Sequence, residues 1–343
     1  MKNYISLSVF VLLISINIAT AQKSQYKIAN KFSVEGDGGW DYLAVDDTTG
    51  HLYISHQTMV QVIDTKDGKL IGTIKDLKGV HGIALAQNLG KGFITNGRDS
   101  SVTVFDLTNL TAIGKIPNVG QNPDAIMYDN FTKRVFTFNG GSNNITAIDA
   151  ITGETIGKIA LDGNPEFAVT NGKGKIFCNI EDLSMICQIN PKTLKVENKW
   201  RLKEGKEPSG LAIDIANNRL FAVCDNKMMM IVDCETGKII TSVPIGEHPD
   251  GCGFDPVLKR AYSSNGDGTL TVVQEVDANT FKVLENVETQ KGARTISVSA
   301  KTHHIYLPTA DRGEKPKPTA ENPKPRPAIK PNSFVILDLE LVK

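Results

Sequence analysis

The sequence lacks any long hydrophobic segment with a helical period after its first twenty residues. Apolar residues instead occur in short alternating runs such as "VTVFD", the pattern of half-buried strands. The missing helical pattern argues against helix bundles and against α/β folds, which alternate strands with helices. The composition therefore predicts an all-β protein.

An excess of charge of one sign is also missing. The chain has 38 basic and 38 acidic residues, and its formal net charge is zero. Binding to nucleic acid or to a membrane surface driven by net charge is therefore not expected.

The cysteines form no known ligand spacing. Cys178, Cys187, Cys224, Cys234 and Cys252 include no CxxC or CxxCH motif, which argues against a zinc-finger site and against attached c-type haem. An odd number argues against a complete disulfide framework. Two of them, Cys178 and Cys187, flank one predicted hairpin and could face each other, but free buried thiols are the expected state.

The first residues have the features of a cleaved signal peptide. Lys2 precedes an apolar run from Ile5 to Ile18, and the small residues Ala19 and Ala21 follow. The run is too short for a comfortable membrane span, so no transmembrane anchor is expected. The sequence predicts a signal peptide over 1–21, a mature chain that begins at Gln22, and a periplasmic or secreted protein.

A repeat of about 42 residues fills the mature chain. An aromatic residue recurs at successive spacings of 40, 43, 41, 44, 41 and 44, at Tyr53, Phe93, Phe136, Phe177, Phe221, Tyr262 and Tyr306. Each unit has room for four short strands, which is the size of a propeller blade. The competing solenoid would need capping units, and none is recognisable. We therefore predict one seven-bladed β-propeller domain over 22–343.

The two ends of the chain predict how the ring closes. The seventh unit stops after its third strand, "SFVILDLELVK", while the N-terminal segment "YKIANKFSVEGDG" has no unit of its own. We expect the N-terminal strand to complete the last blade, because this leaves no free sheet edge between the ends.

The units also resemble a known repeat. "FITNGRDSSVTVFD" matches the YVTN-type pattern most closely, and "GNPEFAV", "GQNPDAI", "GKEPSGLAID" and "GEHPDGCGFD" carry its proline. The chain resembles YVTN-repeat propellers, including YncE-like and surface-layer-associated members. The resemblance implies the propeller fold, but these proteins share no single activity, so it does not imply a reaction.

In such a propeller the inner strands begin on the rim where the second and third strands turn. We call this rim the channel mouth, and expect two rings of side chains there. The inner-strand ring is Asp41, His81, Asp124, Glu166, Ser209, Asp250 and Arg294. The turn ring includes His56, Asn96, Arg98, Asn139, Asn265 and Asp267.

The sequence assigns possible roles within these rings. Arg294 can neutralise Asp250 or Asp41 on the neighbouring blades, whereas Asp124 and Glu166 have only His81 beside them. Two such carboxylates either take up a proton or bind a cation. With Asn139 they predict a Ca²⁺ or Mg²⁺ site. The predicted ligand-binding residues are Asp41, His56, Asn96, Arg98, Asp250, Asn265 and Arg294. The alternative is ordinary solvated capping of strand ends.

One insertion interrupts the last blade. Residues 310–332 contain six prolines between Pro316 and Pro331, and they carry more basic than acidic residues. The prolines predict an extended, mobile segment without ladder pairing. It is either a lid or partner-docking arm at the channel mouth, or an insertion without function.

Two functions remain from the sequence. The preferred one is an exported binding or scaffold propeller that holds a small molecule or a protein at the channel mouth. The alternative is a metal-assisted hydrolase or lyase, similar to lactonase-like propellers, with His81 or Glu166 as acid or base.

Overall fold

The computed structural model describes residues 25–36, 38–319, 325 and 327–342. The predicted signal peptide, 1–21, lies outside the described residues and stays a prediction. The described chain forms seven four-stranded antiparallel sheets, arranged as a seven-bladed β-propeller. Helix is limited there to three short 3-10 turns, at Gln87–Leu89, Gly97–Asp99 and Gly140–Ser142. The predicted fold class is confirmed.

The blades follow one another along the chain after the first strand, β1 (Tyr26–Ser33). Blade 1 contains β2 (Trp40–Asp46), β3 (His51–His56), β4 (Met59–Asp64) and β5 (Leu70–Ile74). Blade 2 contains β6 (Val80–Ala86), β7 (Lys91–Asn96), β8 (Ser101–Asp106) and β9 (Ala112–Ile116). Blade 3 contains β10 (Pro123–Asp129), β11 (Arg134–Asn139), β12 (Asn144–Asp149) and β13 (Thr155–Ala160). Blade 4 contains β14 (Pro165–Thr170), β15 (Ile176–Ile180), β16 (Met185–Asn190) and β17 (Lys195–Arg201).

The remaining blades keep the same order until the last. Blade 5 contains β18 (Pro208–Asp214), β19 (Arg219–Cys224), β20 (Met228–Asp233) and β21 (Ile239–Pro244). Blade 6 contains β22 (Pro249–Asp255), β23 (Arg260–Asn265), β24 (Thr269–Asp277) and β25 (Thr280–Glu288). Blade 7 contains β26 (Ser297–Val298), β27 (Ile305–Thr309), β28 (Val335–Leu341) and then β1.

The core lies between neighbouring blades. The recurring aromatic of each second strand is buried, and Phe93 of blade 2 packs in one cluster with Val135 and Ile148 of blade 3. Tyr53 of blade 1 packs likewise with residues of blade 2. Burying one such side chain contributes about 1.5–3 kcal/mol. Because each aromatic serves a blade-to-blade interface, the sequence repeat and the ring of packed sheets have the same cause.

The N-terminal strand closes the ring as predicted. β1 pairs antiparallel with β28, from Tyr26 opposite Leu341 to Ser33 opposite Val335. The same strand also binds the preceding blade, because the hydroxyls of Tyr26 and Tyr262 lie 2.8 Å apart. We call this pairing of β1 with β28 the seam. It completes blade 7 with the first strand of the chain, and the Tyr26 contact links the same strand to blade 6.

Removing β1 tests the seam. Deletion of residues 25–33 exposes the edge of β28 and takes away its ladder, so we expect unfolding or aggregation. The matched control deletes nine residues, 315–323, from the insertion and leaves its base intact. Thermal unfolding followed by circular dichroism should show a large fall in melting temperature for the β1 deletion and a small change for the 315–323 deletion. Equal melting temperatures would contradict the role of the seam.

The insertion in blade 7 is tied to the ring at its base. Arg312 forms a β-bridge with Ile329, and the amide of Gly313 donates to the carbonyl of Ala328 at 2.8 Å. The guanidinium of Arg312 lies 5.5 Å from the centre of the Trp40 ring of blade 1. The expectation of a segment without ladder pairing is therefore wrong for this base, since its prolines leave these backbone groups free to pair.

The five cysteines are free thiols in the structure. Cys178 of β15 lies directly opposite Cys187 of β16, as the sequence suggested, and both are buried. Their burial raises the pKa of each thiol, so they behave as apolar core groups.

A buried carboxyl pair lies between blades 5 and 6 at the rim opposite the channel mouth. The side-chain amide of Asn217 donates to Asp214 Oδ2 at 2.8 Å and to Glu275 Oε1 at 3.1 Å. Burial, and then the neighbouring Asp214, raise the pKa of Glu275 to about 7. The folded state therefore favours the protonated form of Glu275.

This carboxyl pair predicts how stability depends on pH. The raised pKa of Glu275 favours folding below its ordinary value of 4.5, and that benefit is lost as the pH rises through about 7. In the Glu275→Gln variant, stability should therefore fall less steeply as the pH rises, and the variant should melt a few degrees above the parent at about pH 8. Glu154→Gln, a change at an exposed turn of blade 3, is the control. Parallel curves of melting temperature against pH for parent and Glu275→Gln would contradict the assignment.

Candidate functional site

The strand register places the predicted rings on one rim. The first residue of each inner strand pairs with the last residue of the second strand: Val80 with Asn96, and Pro123 with Asn139. The second strand then turns into the third. The starts of the inner strands and these turns therefore surround the same channel mouth, as predicted.

A β-bulge orients the inner-strand ring. The register breaks directly after the first residue of the inner strand, between Val80 and Ile83, between Pro123 and Ile126, and between Pro165 and Ala168. Ring residues such as His81, Asp124 and Glu166 lie within these breaks. A bulge locally redirects side chains and is common beside functional sites. The bulges allow side chains of successive blades to converge.

Hydrogen bonds between blades hold the bulges in place. Thr95 Oγ1 of blade 2 accepts from the amide of Gly82 at 2.8 Å and donates to the carbonyl of Asp124 in blade 3 at 2.6 Å. Thr295 Oγ1 of blade 7 donates to the carbonyl of Asp41 in blade 1 at 2.7 Å. The backbone that carries each acid is thus fixed by the preceding blade.

Gly82 permits the close approach of blades 2 and 3. A Cβ atom at this position would lie 2.8 Å from the carbonyl oxygen of Asp124 and 2.9 Å from the amide of Ile126. Both are backbone atoms, so neither can rotate away. The spacing between His81 and Asp124 therefore depends on glycine at position 82.

Substitution of Gly82 tests this packing. Gly82→Ala should destabilise the protein by about 1–3 kcal/mol, because the blades must separate to admit the methyl group. Gly114→Ala is the matched control within blade 2, since its Cβ would meet only Val104 Cβ at 3.9 Å. Urea unfolding measures both free energies. A loss of the same size in the two variants would contradict the proposed contact.

His81 bridges two acids from neighbouring blades. Its Nδ1 lies 2.7 Å from Asp41 Oδ2 of blade 1 and 3.4 Å from Asp124 Oδ1 of blade 3. Burial opposes the charged imidazole, but the hydrogen bond to Asp41 and the charge of Asp124 outweigh it and raise the pKa of His81. These three residues form the Asp41–His81–Asp124 cluster.

The carboxyl groups on this side of the channel mouth hold their protons unusually tightly. Burial, and then the charge of Asp41, raise the pKa of Asp124 to about 7. Burial, and then Asp124 and Glu181, raise the pKa of Glu166 to about 8. The pKa of Tyr42 is raised for the same reasons. Ionising these acidic groups together would bring their negative charges close to one another, and a bound cation would relieve that repulsion.

The opposite side of the inner-strand ring is neutralised. Arg294 of blade 7 forms an ion pair with Asp250 of blade 6. The sequence allowed Arg294 to neutralise either Asp250 or Asp41, and the structure pairs it with Asp250. Asp41 is bonded instead to His81. Ser209 of blade 5 is buried and donates to the carbonyl of Pro249 at 2.9 Å.

Two aromatic rings narrow the channel below the mouth. Tyr42 of blade 1 and Phe167 of blade 4 come from distant blades, and their ring centres lie 5.4 Å apart at an angle of 41°. Beneath the mouth these rings border a small void of about 60 Å³ that also meets Gly82, Ile126 and Ile296. The mouth therefore has an aromatic floor.

A larger cavity opens over blades 4 to 7. Its volume is about 590 Å³, within the usual range for small-molecule sites. Its lining residues are Glu181, Glu207, Ser209, Asp225, His248, Pro249, Asp250, Arg294, Arg312 and Pro327. Arg312 and Pro327 belong to the insertion, so the insertion forms part of the cavity wall.

Most side chains of the turn ring do not lie at the surface of the channel mouth, where the sequence analysis expected them. Four of its side chains are buried and bonded within their own blades: His56, Asn96, Asn139 and Asn265. His56 Nδ1 lies 2.7 Å from Gln61 Oε1, and Asn96 Nδ2 donates to Thr103 Oγ1 at 3.0 Å.

This burial bears on two expectations, which stay predictions. Asn139 Nδ2 donates to the carbonyl of Val119 at 3.1 Å and to Thr146 Oγ1 at 3.1 Å, which fixes the buried side chain, whereas its Oδ1 accepts no hydrogen bond from the described residues. His56, Asn96 and Asn265 are likewise buried. The reason is that a buried amide or imidazole needs polar partners, and these side chains find most of theirs in the same hairpin or in the segment before the blade; His56 Nε2 and Asn139 Oδ1 have none among the described residues. Arg98 alone among the predicted turn ligands is exposed.

Sequence reasoning missed several residues at the mouth. Tyr42 and Phe167 follow ring positions directly, and nothing in the repeat indicated that they meet. Glu181 begins the turn of blade 4 where blades 2, 3 and 6 carry Gly97, Gly140 and Gly266, and that departure was a usable signal. Arg312 was counted only as part of a basic insertion.

Fold and site together define a seven-bladed β-propeller with a charged channel mouth. No family model matches the chain, and no curated protein matches it. Among solved structures, a chain of Kuenenia stuttgartiensis hydrazine synthase is similar, with a TM-score of 0.70 and 16% identity over 80% of this chain and 94% of that chain. At this identity the likeness shows the fold alone. Membership of the YVTN-repeat family stays a prediction. Among the described residues, no helix has the length and apolarity to cross a membrane.

Proposed function

We propose that the protein is an exported binding propeller that holds a small, positively charged organic ligand of the amine class at the channel mouth. The observation that carries this proposal is the excess of carboxyl groups over basic groups around the channel mouth, above the rings of Tyr42 and Phe167. Export rests on the sequence features of residues 1–21.

The charge excess comes from the inner-strand ring and the cavity wall together. Their seven carboxyl groups belong to Asp41, Asp124, Glu166, Glu181, Glu207, Asp225 and Asp250. Their basic groups belong to His81, His248, Arg294 and Arg312. Carboxyl groups outnumber bases even when both imidazoles are charged. An anionic ligand would therefore be repelled, whereas a cation lowers the mutual repulsion of the acids.

The mouth has a carboxylate and two aromatic rings that can contact an amine, and a cavity that can hold it. Glu166 makes no hydrogen bond or ion pair with the described residues, so its carboxylate is available to an ammonium group. The faces of Tyr42 and Phe167 attract cations through their ring quadrupoles. The cavity of about 590 Å³ is large enough for a short chain with two amino groups.

The metal-assisted hydrolase or lyase remains a second candidate, and one observation favours it. The Asp41–His81–Asp124 cluster combines an imidazole with two carboxylates at the same mouth. In that function Glu166 would act as acid or base beside a bound metal. Its first requirement is therefore that the cluster binds a metal ion.

A series of three ligands of equal chain length tests the amine proposal. Putrescine is the cation, 1,4-butanediol replaces its amino groups with hydroxyls, and succinate carries two negative charges. Isothermal titration of metal-free protein should show saturable binding of putrescine alone. The affinity should rise from about pH 6 to about pH 8, because Glu166 ionises with a pKa of about 8.

Variants show whether the mouth is the binding site. Glu166→Gln should weaken putrescine binding about tenfold, which is about 1.4 kcal/mol. Glu154→Gln removes an equal charge from an exposed turn of blade 3 and should have no effect. Equal binding of putrescine and 1,4-butanediol, or preferential binding of succinate, would contradict the proposal.

A further inference from the structure

We propose that Asp41, His81 and Asp124 bind a divalent transition-metal ion, of the class of Zn²⁺, Mn²⁺ or Co²⁺, at the channel mouth. The sequence had predicted Ca²⁺ or Mg²⁺ held by Asp124, Glu166 and Asn139. The side chains that converge in the structure are Asp41, His81 and Asp124, so the set includes an imidazole and does not include Glu166. This change matters because imidazole favours transition metals, whereas Ca²⁺ and Mg²⁺ prefer sets made only of oxygen.

The three side chains already converge on one point. Each offers one ligand atom, and these atoms lie within 4.8 Å of one another. Ligands about 2.1 Å from a tetrahedral zinc ion lie about 3.4 Å apart. His81 Nδ1 and Asp124 Oδ1 are 3.4 Å apart, and His81 Nδ1 and Asp41 Oδ2 are 2.7 Å apart. The His81–Asp124 separation already fits such an ion, whereas the shorter His81–Asp41 separation must lengthen for both atoms to bind it.

A buried oxygen without a hydrogen bond gives further support, although His81 Nδ1 lies 3.4 Å from it. Asp124 Oδ1 is buried and accepts no hydrogen bond from the described residues. His81 Nδ1 can form one hydrogen bond, and it forms that bond with Asp41. A proton on His81 thus serves one acid well and leaves the other without a donor, which is costly for a buried carboxylate. A metal ion placed between the three atoms would satisfy all of them at once.

The backbone holds this arrangement before any ion binds. Thr295 fixes the carbonyl of Asp41, and Thr95 fixes both the amide of Gly82 and the carbonyl of Asp124. The three ligands therefore come from three successive blades whose spacing is set by close packing. Three protein ligands also leave coordination positions for water or a further ligand, as in catalytic rather than structural zinc sites.

Titration with the metal alone tests the site without any organic ligand. Chelator-treated protein should bind one Zn²⁺ per chain in isothermal titration, and Co²⁺ should give visible absorption bands of a low-coordinate nitrogen and oxygen site. Ca²⁺ should bind at least about tenfold more weakly, because it gains little from imidazole. Zn²⁺ should also raise the melting temperature as its concentration increases.

A matched pair of histidines separates the site from general surface binding. His81→Gln should lower Zn²⁺ affinity at least about tenfold and abolish the Co²⁺ bands. His248→Gln should change neither the Zn²⁺ affinity nor the Co²⁺ bands. His248 lies at the same mouth, but it is exposed and has only one acid beside it, Asp225 at 3.6 Å. Asp124→Asn keeps the size of the side chain and should also weaken binding, which covers the case in which His81→Gln does not fold.

The opposite results would overturn the proposal. It is wrong if the parent binds no Zn²⁺, or if Zn²⁺ binds the parent and Asp124→Asn equally well. It is also wrong if His248→Gln removes the Co²⁺ bands. The outcome is independent of the amine proposal, because putrescine binding is measured on metal-free protein and this titration contains no amine.

Discussion

The antiparallel pairing of β1 with β28 is the contact on which the rest of the structure depends. It joins the beginning of the chain to its end and so turns a row of blades into a ring. Each blade packs its apolar face on the next, and only a closed ring leaves none of these faces uncovered. The channel mouth depends on the same contact, because Asp41 lies in the first blade and Arg294 in the last.

The regular features of the repeat build the ring, whereas its irregular features build the site. Phe93 and its equivalents occupy the same place in every blade and serve packing. His81, Asp124 and Glu166 occupy one position in the repeat too, but a bulge redirects each of them and each blade uses a different residue type there. Variation at one structurally equivalent position produces an acidic half and a neutralised half of the same ring.

The insertion in blade 7 adds a second kind of irregularity. Its base lies over Trp40 and supplies Arg312 to the cavity wall. Arg312 and Arg294 place two positive charges in the wall of this cavity, beside Glu181, Glu207, Asp225 and Asp250. The cavity is therefore lined by groups of both charges.

The sequence by itself determined the architecture, because strand period, repeat length and the unmatched first strand are local patterns that packing must obey. It also identified the inner-strand acids Asp41, Asp124, Glu166 and Asp250 together with His81, since equivalent positions in a repeat lie on one ring. Only the tertiary structure decided the partners. That Asp41 bonds His81, that Tyr42 meets Phe167 and that Asn139 is buried in its own hairpin depend on angles between blades and on bulges. The partner of a residue on another blade lies from 29 to more than 100 positions away in the chain, so the pattern of a single repeat does not contain it.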